Sequence, residues 1–127
     1  LLSLSSKSVR HTADNLPSGA TAYSNGSISG FSLVSGTNFL ISEFKNIDDT
    51  LDNDVYIMLL NKRHNASADS VSLKASISFS VSPSYQYVYK YNPADGALQQ
   101  LSGAGTYTIE VNGGQGVLLR LSSDNEI

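Results

Sequence analysis

Between Ser70 and Val81 the chain alternates without a break. Val71, Leu73, Ala75, Ile77, Phe79 and Val81 fall on one side, and Ser70, Ser72, Lys74, Ser76, Ser78 and Ser80 on the other. Side chains two residues apart share a face only on an extended backbone, so this segment predicts a strand with one buried and one solvated face. The same period recurs along most of the chain. No window of about eleven residues carries the i, i+3, i+4, i+7 stripe of an amphipathic helix. Val55–Leu60 (VYIMLL) is apolar throughout and predicts a central strand covered on both faces. Lys7–His11, Ile28–Val34, Asn38–Phe44, Tyr85–Tyr91, Ala97–Leu101, Gly105–Val111 and Gly116–Leu121 are the remaining candidate strands.

The connections carry turn chemistry. In Asn92-Pro93-Ala94-Asp95-Gly96 proline presets φ and glycine permits a positive φ, and Asn112-Gly113-Gly114 has the same character. Each predicts a tight link between antiparallel neighbours. Eight or nine short strands in one open sheet would leave an apolar face wet, so the expected fold is all-β, an antiparallel two-sheet β-sandwich. At 127 residues it fills one domain, residues 1–127. Residues 1–6 are expected to be a lead-in from an upstream domain, Asp14–Gly26 a loop, and residues 122–127 a frayed end.

Composition removes several function classes. Eight Lys and Arg against eleven Asp and Glu give a net charge of −3, which leaves no basic face to neutralise a nucleic-acid backbone. Absence of cysteine excludes disulfides, thiolate metal sites and a cysteine nucleophile. No apolar run approaches the ~20 residues of a membrane-spanning helix.

Among candidate site residues the sharpest pattern is Tyr85, Tyr87, Tyr89 and Tyr91, which an unbroken strand would project from one face. Such a row could be a platform on which sugar rings stack. The plainer expectation is that it continues the buried face of Ile77, Phe79 and Val81, with the hydroxyls reaching the rim. Asp48, Asp49, Asp52 and Asp54 crowd one loop, but the spacing fits no EF-hand, and a solvated, charge-bearing hairpin loop is the plainer expectation. No metal or cofactor is expected.

Hydrolytic chemistry finds little support. His11 and His64 are far apart, Gly26-Ser27-Ile28-Ser29-Gly30 misplaces the serine of a nucleophile elbow, and Glu43 and Glu110 lie in strands where an outward carboxylate is ordinary. Gly113, Gly114 and Gly116 precede a strand and not a helix, so they are turn glycines and not a phosphate cradle. Asn25-Gly26-Ser27 and Asn65-Ala66-Ser67 match the glycosylation sequon, which a Ser- and Asn-rich chain meets by chance.

Several segments together resemble the C-terminal β-sandwich that follows the catalytic (β/α)8 barrel of many bacterial glycoside hydrolases. The opening Leu1–Thr12 is similar to the segment that leaves the barrel for the first sandwich strand. Phe39-Leu40-Ile41-Ser42-Glu43-Phe44, a polar loop, and Val55–Lys62 resemble the central hairpin, one strand ending in Glu-Phe and the next in Asn-Lys. Val88–Gly96 resembles the following hairpin. Gly113–Leu121 resembles the closing strand, with Gly-Gly-Gln-Gly where the family usually has Pro-Gly-Asp-Gly.

The resemblance implies an accessory, non-catalytic domain that packs against and stabilises the upstream barrel of the same polypeptide, in a secreted or periplasmic bacterial enzyme. The family's catalytic carboxylates belong to the barrel, so none is carried onto this chain. Two alternatives stay open: a carbohydrate-binding module that holds polysaccharide on the Tyr row, and an adhesin-like structural domain.

Overall fold

The computed structural model describes residues 4–14, 16–46, 54–63, 72–92, 95–101 and 105–124. These form nine strands: β1 (Leu4–His11), β2 (Phe31–Ser35), β3 (Phe39–Asn46), β4 (Val55–Asn61), β5 (Ala75–Val81), β6 (Tyr87–Tyr91), β7 (Leu98–Gln100), β8 (Thr106–Val111) and β9 (Gly116–Ser122). They make a six-stranded sheet in the order β1-β3-β4-β9-β6-β7 and a three-stranded sheet in the order β2-β5-β8. Every pairing between these strands is antiparallel. The fold is the expected two-sheet β-sandwich. Among the described residues none is helical, and so no helix there is long and apolar enough to cross a membrane.

Alternation sets which faces meet. Phe31, Ile77, Phe79, Tyr107 and Val111 of the small sheet pack in one cluster with Phe39, Ile41, Val55, Ile57, Leu59, Val88, Leu119 and Leu121 of the large one. An aromatic string crosses the inner side of the small sheet: the Phe31 and Phe79 rings stack at 5.2 Å, Phe79 and Tyr107 at 5.6 Å, and Tyr23 meets Phe31 edge-on at 6.0 Å. Such pairs add to the area term of burial. On the outward side of that sheet the chain places Ser76, Ser78 and Ser80 beside Thr106 and Thr108. Ser78 Oγ and Thr108 Oγ1 lie 2.7 Å apart.

β4 is central and buried on both faces at Val55, Tyr56 and Ile57, as its unbroken apolar run predicts. Its pairing with β3 is the hairpin of the Glu-Phe and Asn-Lys strands. The strand period is also legible in β5, where Ile77, Phe79 and Val81 are buried and the serines between them are not. The strand is shorter than its alternation predicts: Ser72 and Leu73 form a turn and β5 begins at Ala75, while Ser70 and Val71 lie outside the described residues.

Four further features differ from the sequence expectation. Ile28 belongs to the core but precedes β2, because Gly30 takes φ 81° and interrupts the extended backbone. Leu4, Ser5 and Ser6, read from sequence as lead-in, pair with Asn46, Lys45 and Phe44, and β9 continues through the fully buried Ser122. Asn112-Gly113-Gly114 does not join neighbours in one sheet. It carries the chain from β8 in the small sheet to β9 in the large one.

Asn61 explains that crossing. Completely buried at the end of β4, it donates from Nδ2 to the carbonyls of Val111 at 2.9 Å and Leu73 at 3.0 Å. Its Oδ1 accepts from the Arg63 backbone N–H and side chain, both at 3.1 Å. Its own carbonyl accepts from Gly114 N–H, and its N–H donates to Gln115. One amide thus ties the turn between sheets to the central strand. The β6–β7 hairpin behaves as its turn signal predicts: Asn92 N–H donates to Ala97 and Gly96 adopts φ 72°, while Pro93 and Ala94 lie outside the described residues.

At the edge of the small sheet, Asn25 Oδ1 accepts from Leu33 N–H at 2.9 Å, and its Nδ2 faces the Leu33 carbonyl at 3.4 Å.

Candidate functional site

The four tyrosines separate into two environments. Val88 joins the inter-sheet core, so its neighbours Tyr87 and Tyr89, and Tyr91 after them, project from the outer face of the six-stranded sheet. They do not continue the face of Ile77, Phe79 and Val81, which lines the opposite sheet, because residues 82–86 carry the chain across between β5 and β6. Tyr85 sits in that crossing. Its ring packs on Gly30 and the edge of the core, and burial, with the charges of Asp54 and Glu43, raises its phenol pKa. Tyr87 and Tyr89 rings lie 6.3 Å apart and nearly parallel. Tyr89 is completely buried, whereas Tyr87 and Tyr91 keep some exposed surface.

Strand register explains what lies beside Tyr89. Phe44, Tyr56, Arg120 and Tyr89 fall in one row across β3, β4, β9 and β6. Arg120 Nε donates to Asp54 Oδ2 at 2.6 Å, and the guanidinium stands 5.4 Å from the centre of the Tyr56 ring. Asp54, Tyr56 and Arg120 are all buried. Burial pulls the Arg120 pKa down, but the bonds to Asp54 and Tyr91 outweigh it and hold the group above its ordinary value. This is a buried, fixed charge pair. It was not foreseeable from sequence, since its two ends lie 66 residues apart.

Asp54 is thereby committed to Arg120, while Asp48, Asp49 and Asp52 lie outside the described residues. Among the described residues no group of three His, Asp or Glu side chains is placed to hold a metal ion.

The remaining sequence candidates are dispersed. Glu43 on β3 accepts from Ser8 Oγ at 3.1 Å, and Glu110 on β8 faces Lys74 at 3.7 Å on the other sheet. His11 ends β1, and its Nδ1 lies 3.0 Å from Lys62 Nζ. An ammonium has no lone pair to offer, so Nδ1 accepts and the ring is neutral. Burial and the Lys62 charge both lower the His11 pKa. A catalytic histidine of the serine-hydrolase kind is oriented by a carboxylate instead. Nearby Asp14 is pushed up by burial but brought below its usual range by hydrogen bonds from Asn38 and Thr12 and by the Lys62 charge. His64 and Asn65 lie outside the described residues, and Asn25 is in the turn that holds β2.

One groove stands out, a cavity of about 730 Å³ where β6 ends and β9 begins. Met58, Val117 and Leu118 supply apolar lining, Tyr91 an aromatic ring, and Lys90, Asn92, Asp95, Glu110, Asn112 and Gln115 the polar groups. Of these, sequence reasoning weighed Tyr91 and Glu110 as candidate site residues and placed Asn92, Asp95 and Asn112 in turns. The rest come from segments that are distant in sequence.

No known protein family, curated protein or solved structure matches the chain.

Proposed function

We propose that the chain is a non-catalytic accessory β-sandwich of a secreted or periplasmic glycoside hydrolase, packing against and stabilising a catalytic barrel of the same polypeptide. One observation carries this reading beyond the sequence resemblance: the two outward faces of the sandwich differ in kind. The small sheet turns serine and threonine hydroxyls outward, as a sheet facing water does. Away from the groove at the start of β9, the outer face of the large sheet carries Leu40, Phe44, Leu60 and Tyr87, each only partly covered. A second apolar face gains stability when a neighbour covers it, at about 25 cal/mol per Å² of apolar surface removed from water.

Calorimetry of the intact gene product, with and without residues 1–127, tests the proposal. Deleting the sandwich is expected to lower the melting temperature of the remaining domain while leaving its catalytic groups in place. A remaining domain that melts unchanged, or a gene product with no hydrolase domain, overturns it.

A further inference from the structure

We propose that the groove between the end of β6 and the start of β9 is a binding site for a neutral oligosaccharide. Its volume of about 730 Å³ falls within the roughly 300–1,000 Å³ of ordinary small-molecule sites. The polar lining is what selects the ligand class. Side-chain amides of Asn112 and Gln115 each offer donors and an acceptor, so they match a partner that also presents both, which a hydroxyl does. Asp95 and Glu110 accept and Lys90 donates.

With Lys74 paired to Glu110, the carboxylates of Asp95 and Glu110 balance the ammonium groups of Lys90 and Lys74, so the groove has no surplus of positive charge to select a phosphate or an acidic sugar. A wholly apolar ligand would bury the amides without partners, which is costly. Tyr91, Met58 and Leu118 on the same walls call for an apolar surface on the ligand as well. A pyranose ring combines these demands, with hydroxyls at its edge and C–H groups on its face.

Gly116 is the second observation. A Cβ at this position would stand 2.9 Å from Met58 Sδ, so glycine lets the Met58 side chain pack directly against the start of β9, where both line the groove. The backbone of Gly116 has no positive φ that would by itself require glycine. Close packing of Met58 is therefore the structural consequence of glycine at the first position of β9, and a long side chain there would displace Met58 and project into the groove. The inference stands on the lining alone and does not require that the sandwich pack against a barrel.

The test is a 15N-HSQC titration of the 127-residue chain with xylotriose, cellotriose, maltotriose and mannotriose, and with trigalacturonate as the acidic control. At least one neutral trisaccharide is expected to give saturable shifts centred on Lys90–Asn92 and Asn112–Leu118, and trigalacturonate at least tenfold weaker ones. Gly116→Leu, which fills the groove, and Gln115→Ala, in an exposed turn, are each expected to weaken binding at least tenfold with the spectrum otherwise retained. Tyr87→Ala, outside the groove, is expected to bind as the parent does. Absence of saturable shifts with all four neutral sugars overturns the proposal, as does preference for the acidic one. Binding that survives Gly116→Leu overturns it too.

Discussion

Asn61→Ala isolates the amide that fastens the inter-sheet turn to the central strand. The substitution removes both Nδ2 donors, leaving the Val111 and Leu73 carbonyls without them, and removes the acceptor for Arg63. An unsatisfied buried polar group costs about 1–3 kcal/mol. The Val111 bond is buried and carries the full cost, while the Leu73 bond is only partly buried and water can replace part of it. The expected loss is therefore about 2–4 kcal/mol, and for a chain of this length that is a fall in Tm on the order of 10 °C.

Urea unfolding followed by tyrosine fluorescence measures this loss, with the midpoint moving and the slope m unchanged. Arg63→Ala is the control. It removes contacts to Asn61 and Thr37 and a ring contact with Phe39, yet leaves Nδ2 and both carbonyls paired, so it should cost under about 1 kcal/mol. An Asn61→Ala variant that loses less than its Arg63→Ala counterpart would refute the reasoning, because the load would then lie on the half-buried Arg63 side chain.

Arg120→Met should cost about 3–5 kcal/mol, since it strands the buried Asp54 carboxylate. Adding Asp54→Leu should recover much of that, and a double-mutant cycle that finds no coupling contradicts the pairing. His11 has its folded pKa held below the ordinary value near 6.5, so the unfolded chain binds the proton more readily and stability falls as pH drops from about 7 through the folded pKa. His11→Gln should flatten the dependence of the urea midpoint over that window, and an unaltered slope would rule out His11 as its source. Gly30→Ala combines a positive φ of 81° with overlap of the Tyr85 ring, and should lose more than about 2 kcal/mol. Gly19→Ala, at φ 80° with open space around it, should lose about 1 kcal/mol, and equal losses at the two positions would remove the Tyr85 contact from the account.

What could be read in advance divides along a physical line. Strand existence follows from local alternation, which is why β4, β8 and β9 fall where their apolar positions place them, and β5 does so from Ala75 onward. The tyrosine parity was legible for the same reason, since alternation holds from Tyr87 to Tyr91 wherever the strand lies. Which sheet a strand joins is a long-range choice. Asn112-Gly113-Gly114 reads as a hairpin because its residues suit one, and only the reach of Asn61 to Val111 and Leu73 turns it into a crossing. The Asp54 and Arg120 pair, and the groove gathered from β4, β6 and the β8–β9 turn, depend on register across sheets and leave no local periodic trace.

The side chain of Asn25 has a consequence for how separate molecules meet. By engaging both the N–H and the carbonyl of Leu33, it occupies the hydrogen-bonding rim of β2 that another polypeptide would need for zippering onto the small sheet. A single amide thus acts as a stopper against fibre-like growth, and a chain deprived of it would meet its own copies with a sticky border.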